Sequence, residues 1–247
     1  MADTIVSVHQ PNFMPWIKLL DKILASDVYV AYDTVIYTKS EYHARQKVLT
    51  EHGPVWLSVP TLHIRGTQQL IKDVRIDNGQ PFRQRHLRRL RLSYGSWPYF
   101  DEVFPIVEKV FHREQERLVD LNIDLIEAMC TYLDSPVRIV RASSLPHEGD
   151  KAERLVQLVS AAGGVHHLTS TYGTTQQDVD WSQFQVAGVG LSAQVFEHPE
   201  YSQNGSAEFV PNLAAVDMLL ACGRRTSQLL ESRRRLVPID ANGDGSS

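Results

Sequence analysis

Residues 4–9, Thr-Ile-Val-Ser-Val-His, then the segment 15–25, then Val28-Tyr29-Val30-Ala31-Tyr32, decide the fold class. The first and last are short apolar runs of strand type. Between them, apolar side chains fall at 16, 17, 19, 20, 23 and 24, a helical face of about three turns. Strand, helix and strand in succession fit a right-handed βαβ unit and a parallel sheet. In such a sheet, ligands bind in the crevice outside the carboxyl ends of the strands. His9, Gln10, Asn12 and Trp16 follow the first strand directly and place an imidazole, two amides and an indole there. A core strand needs none of these groups so close together, so the segment reads as the wall of a site.

Working outward, further strands are expected at 55–59, 74–76, 137–140 and 165–169, with 191–196 the last. The middle is helical: Phe100, Val103, Phe104, Val107, Val110 and Phe111 form one stripe, and Leu118, Leu121, Leu125, Met129 and Leu133 another. Such stripes read as core. A helix over 151–162 ends at Gly163-Gly164, and one over 212–221 closes at Gly223. The expected architecture is α/β: a mostly parallel sheet flanked by helices, Rossmann-like in its layering, with a helical insertion in the middle. Residues 1–239 read as a single α/β domain, with about 81–134 as a candidate helical sub-domain, and 240–247 as a disordered tail.

Charged residues make up 22% of the 247 and the net charge is −4, which argues against general nucleic-acid affinity. Two cysteines, Cys130 and Cys222, give neither a disulfide framework nor a CxxC metal site. No stretch approaches a membrane span and no secretory leader pattern opens the chain, so a cytoplasmic location is expected. The ten histidines show no HxxxH or HExxH spacing, and metal binding is unsupported.

His9 is the first candidate for proton transfer, because imidazole titrates near neutrality and its position exposes one nitrogen to the crevice. Gln10 and Asn12 offer donors and acceptors for an amide, hydroxyl or carboxylate. Asp33 ends the second strand and is placed to orient His9 or bind an amine. Charged side chains on the first helix, Asp21 among them, are expected to be solvated. Lys39 and Arg45, in a polar loop with Tyr37, are candidates to hold phosphate or carboxylate. Residues 83–91 carry five arginines, read as a solvated basic face that pairs with the acidic helix near 101–108. Thr169 to Thr175 is rich in hydroxyls. Late in the chain, His198-Pro199-Glu200-Tyr201-Ser202-Gln203 follows the last strand, where the crevice is expected again, and Asn212 and Asp217 follow in turn.

Val8-His9-Gln10-Pro11-Asn12-Phe13-Met14-Pro15-Trp16, with Asp21-Lys22 and Asp27, resembles the opening signature of the WbqC-like family. The similarity continues through Asp33, Lys39, Arg45 and Leu57-Ser58-Val59-Pro60, and resumes at Pro98-Tyr99-Phe100 and Leu118 to Asn122. It closes at His198 to Gln203, Phe209, Pro211-Asn212-Leu213, Asp217 and Cys222-Gly223. One departure is Ser170, where the family tends to carry a glycine. The resemblance implies a setting in polysaccharide (O-antigen) or natural-product biosynthesis. It implies an acyl or glycyl-like aminoacyl transfer onto an amine or hydroxyl.

On that basis His9 would be the general base, Asp33 its orienter, and Gln10 and Asn12 the holders of the reacting carbonyl. Trp16, Lys22, Lys39, Arg45, Tyr201, Gln203, Asn212 and Asp217 would bind substrate. No cofactor is required beyond an activated acyl donor: a carrier-protein thioester, CoA or aminoacyl-tRNA. The acceptor would be a small molecule or sugar, and an acyl carrier protein is a candidate partner. Two alternatives stand beside this: a nucleotidyltransferase or ATP-dependent activating enzyme, and a non-catalytic protein that binds a pathway intermediate.

Overall fold

The structure is a computed structural model that describes residues 3–62, 67–170, 179–203 and 208–239. The hydroxyl-rich residues beyond Ser170 and the tail from Asp240 lie outside the described residues.

Strand β1 (Ile5–His9) leads through α1 (Ile17–Leu24) to β2 (Val28–Ala31), which pairs with it in parallel. The chain then inserts two small antiparallel ribbons and three helices. The ribbons are β3 (Arg45–Thr50) with β4 (Gly53–Ser58), and β5 (Thr61–Leu62) with β6 (Arg75–Ile76). The helices are α2 (Phe82–Tyr94), α3 (Phe100–Phe111) and α4 (Leu118–Tyr132). After them come β7 (Arg138–Arg141), α5 (Lys151–Ala161), β8 (His166–Ser170), α6 (Ser182–Val186) and β9 (Gly190–Phe196). The chain ends with α7 (Ala215–Cys222), α8 (Thr226–Arg233) and β10 (Arg234–Pro238).

The main sheet runs β7-β2-β1-β8-β9-β10 and is parallel except for β10. Counted along the chain this is the doubly wound order 3-2-1-4-5-6 of dinucleotide-binding sheets, with its last strand reversed. Alternation divides the sheet between two apolar layers. Val6, Val8, Val28 and Val30 pack with Leu158, Val159 and Phe184 of α5 and α6. Tyr29 and Ala31 face α1 and α7, in a core that extends through α2, α3 and α4.

Three expectations change. Arg45 does not sit in a loop but opens β3, whose partner β4 begins at a turn where Gly53 adopts φ 97°. The strand at 190–196 is not the last, because β10 adds on antiparallel. Arg234, Arg235 and Pro238 hid that strand; charge and proline mark an edge that must not recruit further strands. The helix expected from 212 begins at Ala215, because Asn212 takes φ 61° and breaks the helical path. Helix α5 matches its expected start closely: Asp150 accepts from the Ala152 and Glu153 amides while Glu153 reaches back, a full capping box. No helix among the described residues is long and apolar enough to cross a membrane.

Candidate active site

The strand order reverses between β1 and β8. From β1 the chain steps one way to β2 and β7, then returns to the other side for β8 and β9, so the connections leaving β1 and β8 diverge. A cavity of about 820 Å³ opens there. His9, Gln10 and Trp16 line it from the β1 end, His167, Thr169 and Ser170 from β8. Lys18 and Lys22 reach it from α1, and Lys151 and Arg154 from the first turn of α5. No carboxylate is among the described lining residues. Four cations and the positive end of a helix favour an anion.

The imidazoles are fixed in one tautomer. His9 Nδ1 lies 2.9 Å from the Gln10 carbonyl oxygen, and His167 Nδ1 lies 3.1 Å from that of Val6. A carbonyl only accepts, so both Nδ1 atoms carry the proton and both Nε2 atoms keep a lone pair. Burial, then the Lys22 charge, pushes each ring down to about 3, so both stay neutral in the free protein.

Lys22 is the most informative group. Its side chain is only 2% exposed, it faces the cavity, and no hydrogen bond or ion pair engages it among the described residues. Burial, reinforced by the charge of Lys18 one turn earlier, lowers its ammonium to about 7. An unpaired buried lysine costs stability and is retained where its amine is used.

Gln10 is aimed by a relay. The Thr38 amide donates to His43 Nδ1 (3.2 Å), so His43 Nε2 donates to Gln10 Oε1 (2.7 Å). With its oxygen engaged, Gln10 has its NH2 left as a donor. Asn122 clamps this wall from α4, donating to the carbonyls of Pro11 and His43 at 2.8 Å each. Met14, buried in the same loop, takes φ 43°, a left-handed strain of the kind found near functional sites.

The family model described as the WbqC-like protein family matches residues 10–229, most of the chain and nearly all of the cavity wall. The chain belongs to the WbqC-like family. It is 26% identical over 233 residues to an uncharacterized protein of Mycobacterium tuberculosis, Rv1507c, covering 93% of this chain and 99% of that one. No solved structure matches it.

In this WbqC-like protein, His9, Gln10, Trp16 and Lys22 share the cavity with Thr169 and Ser170 of the hydroxyl-rich stretch; the other catalytic and substrate-binding candidates from the sequence do not line it. Asp33 is fully buried, and Ser143 donates to both its oxygens from amide (2.9 Å) and hydroxyl (2.7 Å). The carboxylate therefore holds the turn at 142–144, and the Gln10 carbonyl orients His9 instead. Asn12 is buried at 5% exposure and lines neither this cavity nor the one beside the β3–β4 ribbon. Lys39 and Arg45 line a second cavity with Arg85.

Tyr201 and Gln203 donate to Asp217, at 2.7 and 3.4 Å, as does Tyr94 at 2.7 Å. This knot ties the loop after β9 to α7 and α2. Burial pushes Asp217 up to about 6 in spite of its three donors. The amide of Asn212 lies 3.3 Å from His198 Nε2. None of the described residues from His198 to Gln203 lines the switch-point cavity, so the two polar stretches do not share it.

On α1 the expected solvated face is buried. Asp21 is 0% exposed and pairs with Arg234 (2.9 Å) and Gln194 (2.6 Å). The basic face of α2 behaves as expected at Arg91, which pairs with Glu108 at 3.0 Å. Sequence reasoning missed His167, Lys18, Lys151 and Arg154. The signals were present: β8 ends at the same switch point, Lys18 precedes Lys22 by one turn, and Lys151 and Arg154 open a capped helix. Ser170, the departure from the family pattern, lines the cavity itself.

Proposed function

We propose that this WbqC-like protein is a transferase that moves an acyl or aminoacyl group from an activated, anionic donor onto an amine or hydroxyl. The switch-point cavity is its active site. The observation that carries the reading is Lys22, a buried amine with no hydrogen-bond or ion-pair partner among the described residues, in a cavity lined by cations. Near neutral pH much of it is free base, the condition for a general base at physiological pH.

The acceptor's nitrogen or oxygen attacks the donor's thioester or ester carbonyl, and Lys22 takes the proton the acceptor loses. The same proton then returns to the departing thiolate or alkoxide. With an amine acceptor, which carries a second N–H, His9 Nε2 accepts a hydrogen bond from it and aligns it; at about 3 the ring is too acidic to hold the proton itself. The Gln10 NH2 donates to the oxyanion. Lys18, Lys151 and Arg154 favour the donor's negative charge. This replaces His9 by Lys22 as the base and leaves the acceptor, in a polysaccharide or natural-product setting, as an amine- or hydroxyl-bearing small molecule or sugar.

The test offers acyl-CoA, carrier-protein thioesters and aminoacyl-tRNA with amino-sugar acceptors and detects the amide or ester by mass spectrometry. Product with the native protein, lost in Lys22→Met, supports the reading. Transfer at an undiminished rate in Lys22→Met would falsify it. The same cations suit phosphate, so ATP-dependent activation is the second reading. Strict dependence on ATP and magnesium would select it.

A further inference from the structure

The second cavity, about 690 Å³, lies between the β3–β4 ribbon and the start of α2. Its cations are Lys39, Arg45 and Arg85, its hydroxyls include Ser58 and Thr61, and no carboxylate is among its described lining residues. Arg45 is preset. Its guanidinium lies 4.4 Å from the centre of the Trp56 ring, and one of its terminal nitrogens donates to the Ser40 carbonyl. Its Nε is buried and has no hydrogen-bond partner among the described residues. A planar cation held by stacking in the wall of a polar cavity has the geometry of an oxyanion anchor.

We propose that this second cavity is a binding site for an organic phosphate or diphosphate, with Arg45 as its anchor and Lys39 and Arg85 as flanking cations. Three cations match the charge of a diphosphate, and the volume exceeds that of one phosphate, leaving room for the attached organic group. The site is separate from the switch-point cavity but its wall is joined to it. Tyr37 lines the second cavity and packs on His43 at 5.8 Å, and His43 donates to Gln10 in the wall of the first. On the transferase reading the second cavity takes the donor's phosphate-bearing handle. The phosphate site itself does not depend on that reading.

Inorganic pyrophosphate, titrated calorimetrically into the full chain, tests the site. Binding is expected to weaken at least tenfold in Arg45→Ala and in Arg85→Ala and to fall with added salt. Arg154→Ala, in the other cavity, is expected to leave this class of sites intact. Arg85 is on the surface, so its variant keeps the test valid should Arg45→Ala fold poorly. Absence of pyrophosphate binding, or binding lost in Arg154→Ala but kept in Arg45→Ala and Arg85→Ala, overturns the proposal. Neither result touches the Lys22 assay, so failure of this site and failure of the transferase reading are told apart.

Discussion

His43 Nε2 donates to Gln10 Oε1 across 2.7 Å, and this one bond fixes which end of the Gln10 amide faces the switch-point cavity. His43 itself is buried at 1% exposure and touches the cavity only through Gln10. His43→Phe keeps an aromatic ring of similar size and removes the donor. The Gln10 amide is then free to turn, and kcat/KM for acyl transfer is expected to fall roughly tenfold to a hundredfold. Unchanged kinetics would show that the Gln10 amide is not an oxyanion donor.

Lys22→Met removes a buried amine that has no hydrogen-bond or ion-pair partner among the described residues. Stability by urea unfolding should rise by about 1–2 kcal/mol, as when a destabilised functional group is replaced. Activity should fall by about 10²–10⁴, the usual worth of a general base. A destabilised variant would mean that the amine is satisfied in the native protein.

Acid should unfold the protein through its neutral histidines. His9 and His167 are held near 3 and His43 near 4, each mainly by burial, against an ordinary value of 6.5. The folded values lie below the unfolded one, so this contribution is complete above pH 6.5 and is lost progressively as pH falls toward 3. Melting curves from pH 7.5 to 4.5 should show Tm declining over that window, by about 2–4 °C for each kcal/mol lost. A flat profile would contradict the burial of these rings.

Tyr94→Phe tests the knot at Asp217. The Tyr94 hydroxyl donates to Asp217 and accepts from the Leu49 amide, each at 2.7 Å. Its removal leaves both buried partners short of a bond and should cost about 1–3 kcal/mol by chemical denaturation. A loss below the error of the measurement would show that the loop after β9 is held by other contacts.

The parallel sheet was legible because Ile5–His9, the helical face of α1 and Val28–Ala31 follow one another with little intervening chain. That pattern also located His9, Gln10 and Trp16 at a strand end. What stayed hidden depends on contacts distant in sequence. Asp33 looked poised toward His9, but its partner, Ser143, is 110 residues away. Tyr201 and Asp217 looked like pocket residues, yet Tyr201 donates to Asp217, which also accepts from Tyr94 on α2. His167 carried no motif, and its role appears only when β8 is found beside β1. Lys22 is adjacent to a buried ion-paired aspartate, and periodicity does not separate an inward-facing lysine from a solvated one.

The proposed chemistry rests on Lys22, a buried lysine with no hydrogen-bond or ion-pair partner among the described residues, at the seam between β1 and β8. Carbon-13 labelling of the lysine ε-methylenes, followed by NMR from pH 5 to 11, reads that side chain directly. One resonance should titrate near 7 and disappear in Lys22→Met. If every lysine instead titrates at its ordinary value of 10.5 or above, the base on which the proposed transfer depends does not exist.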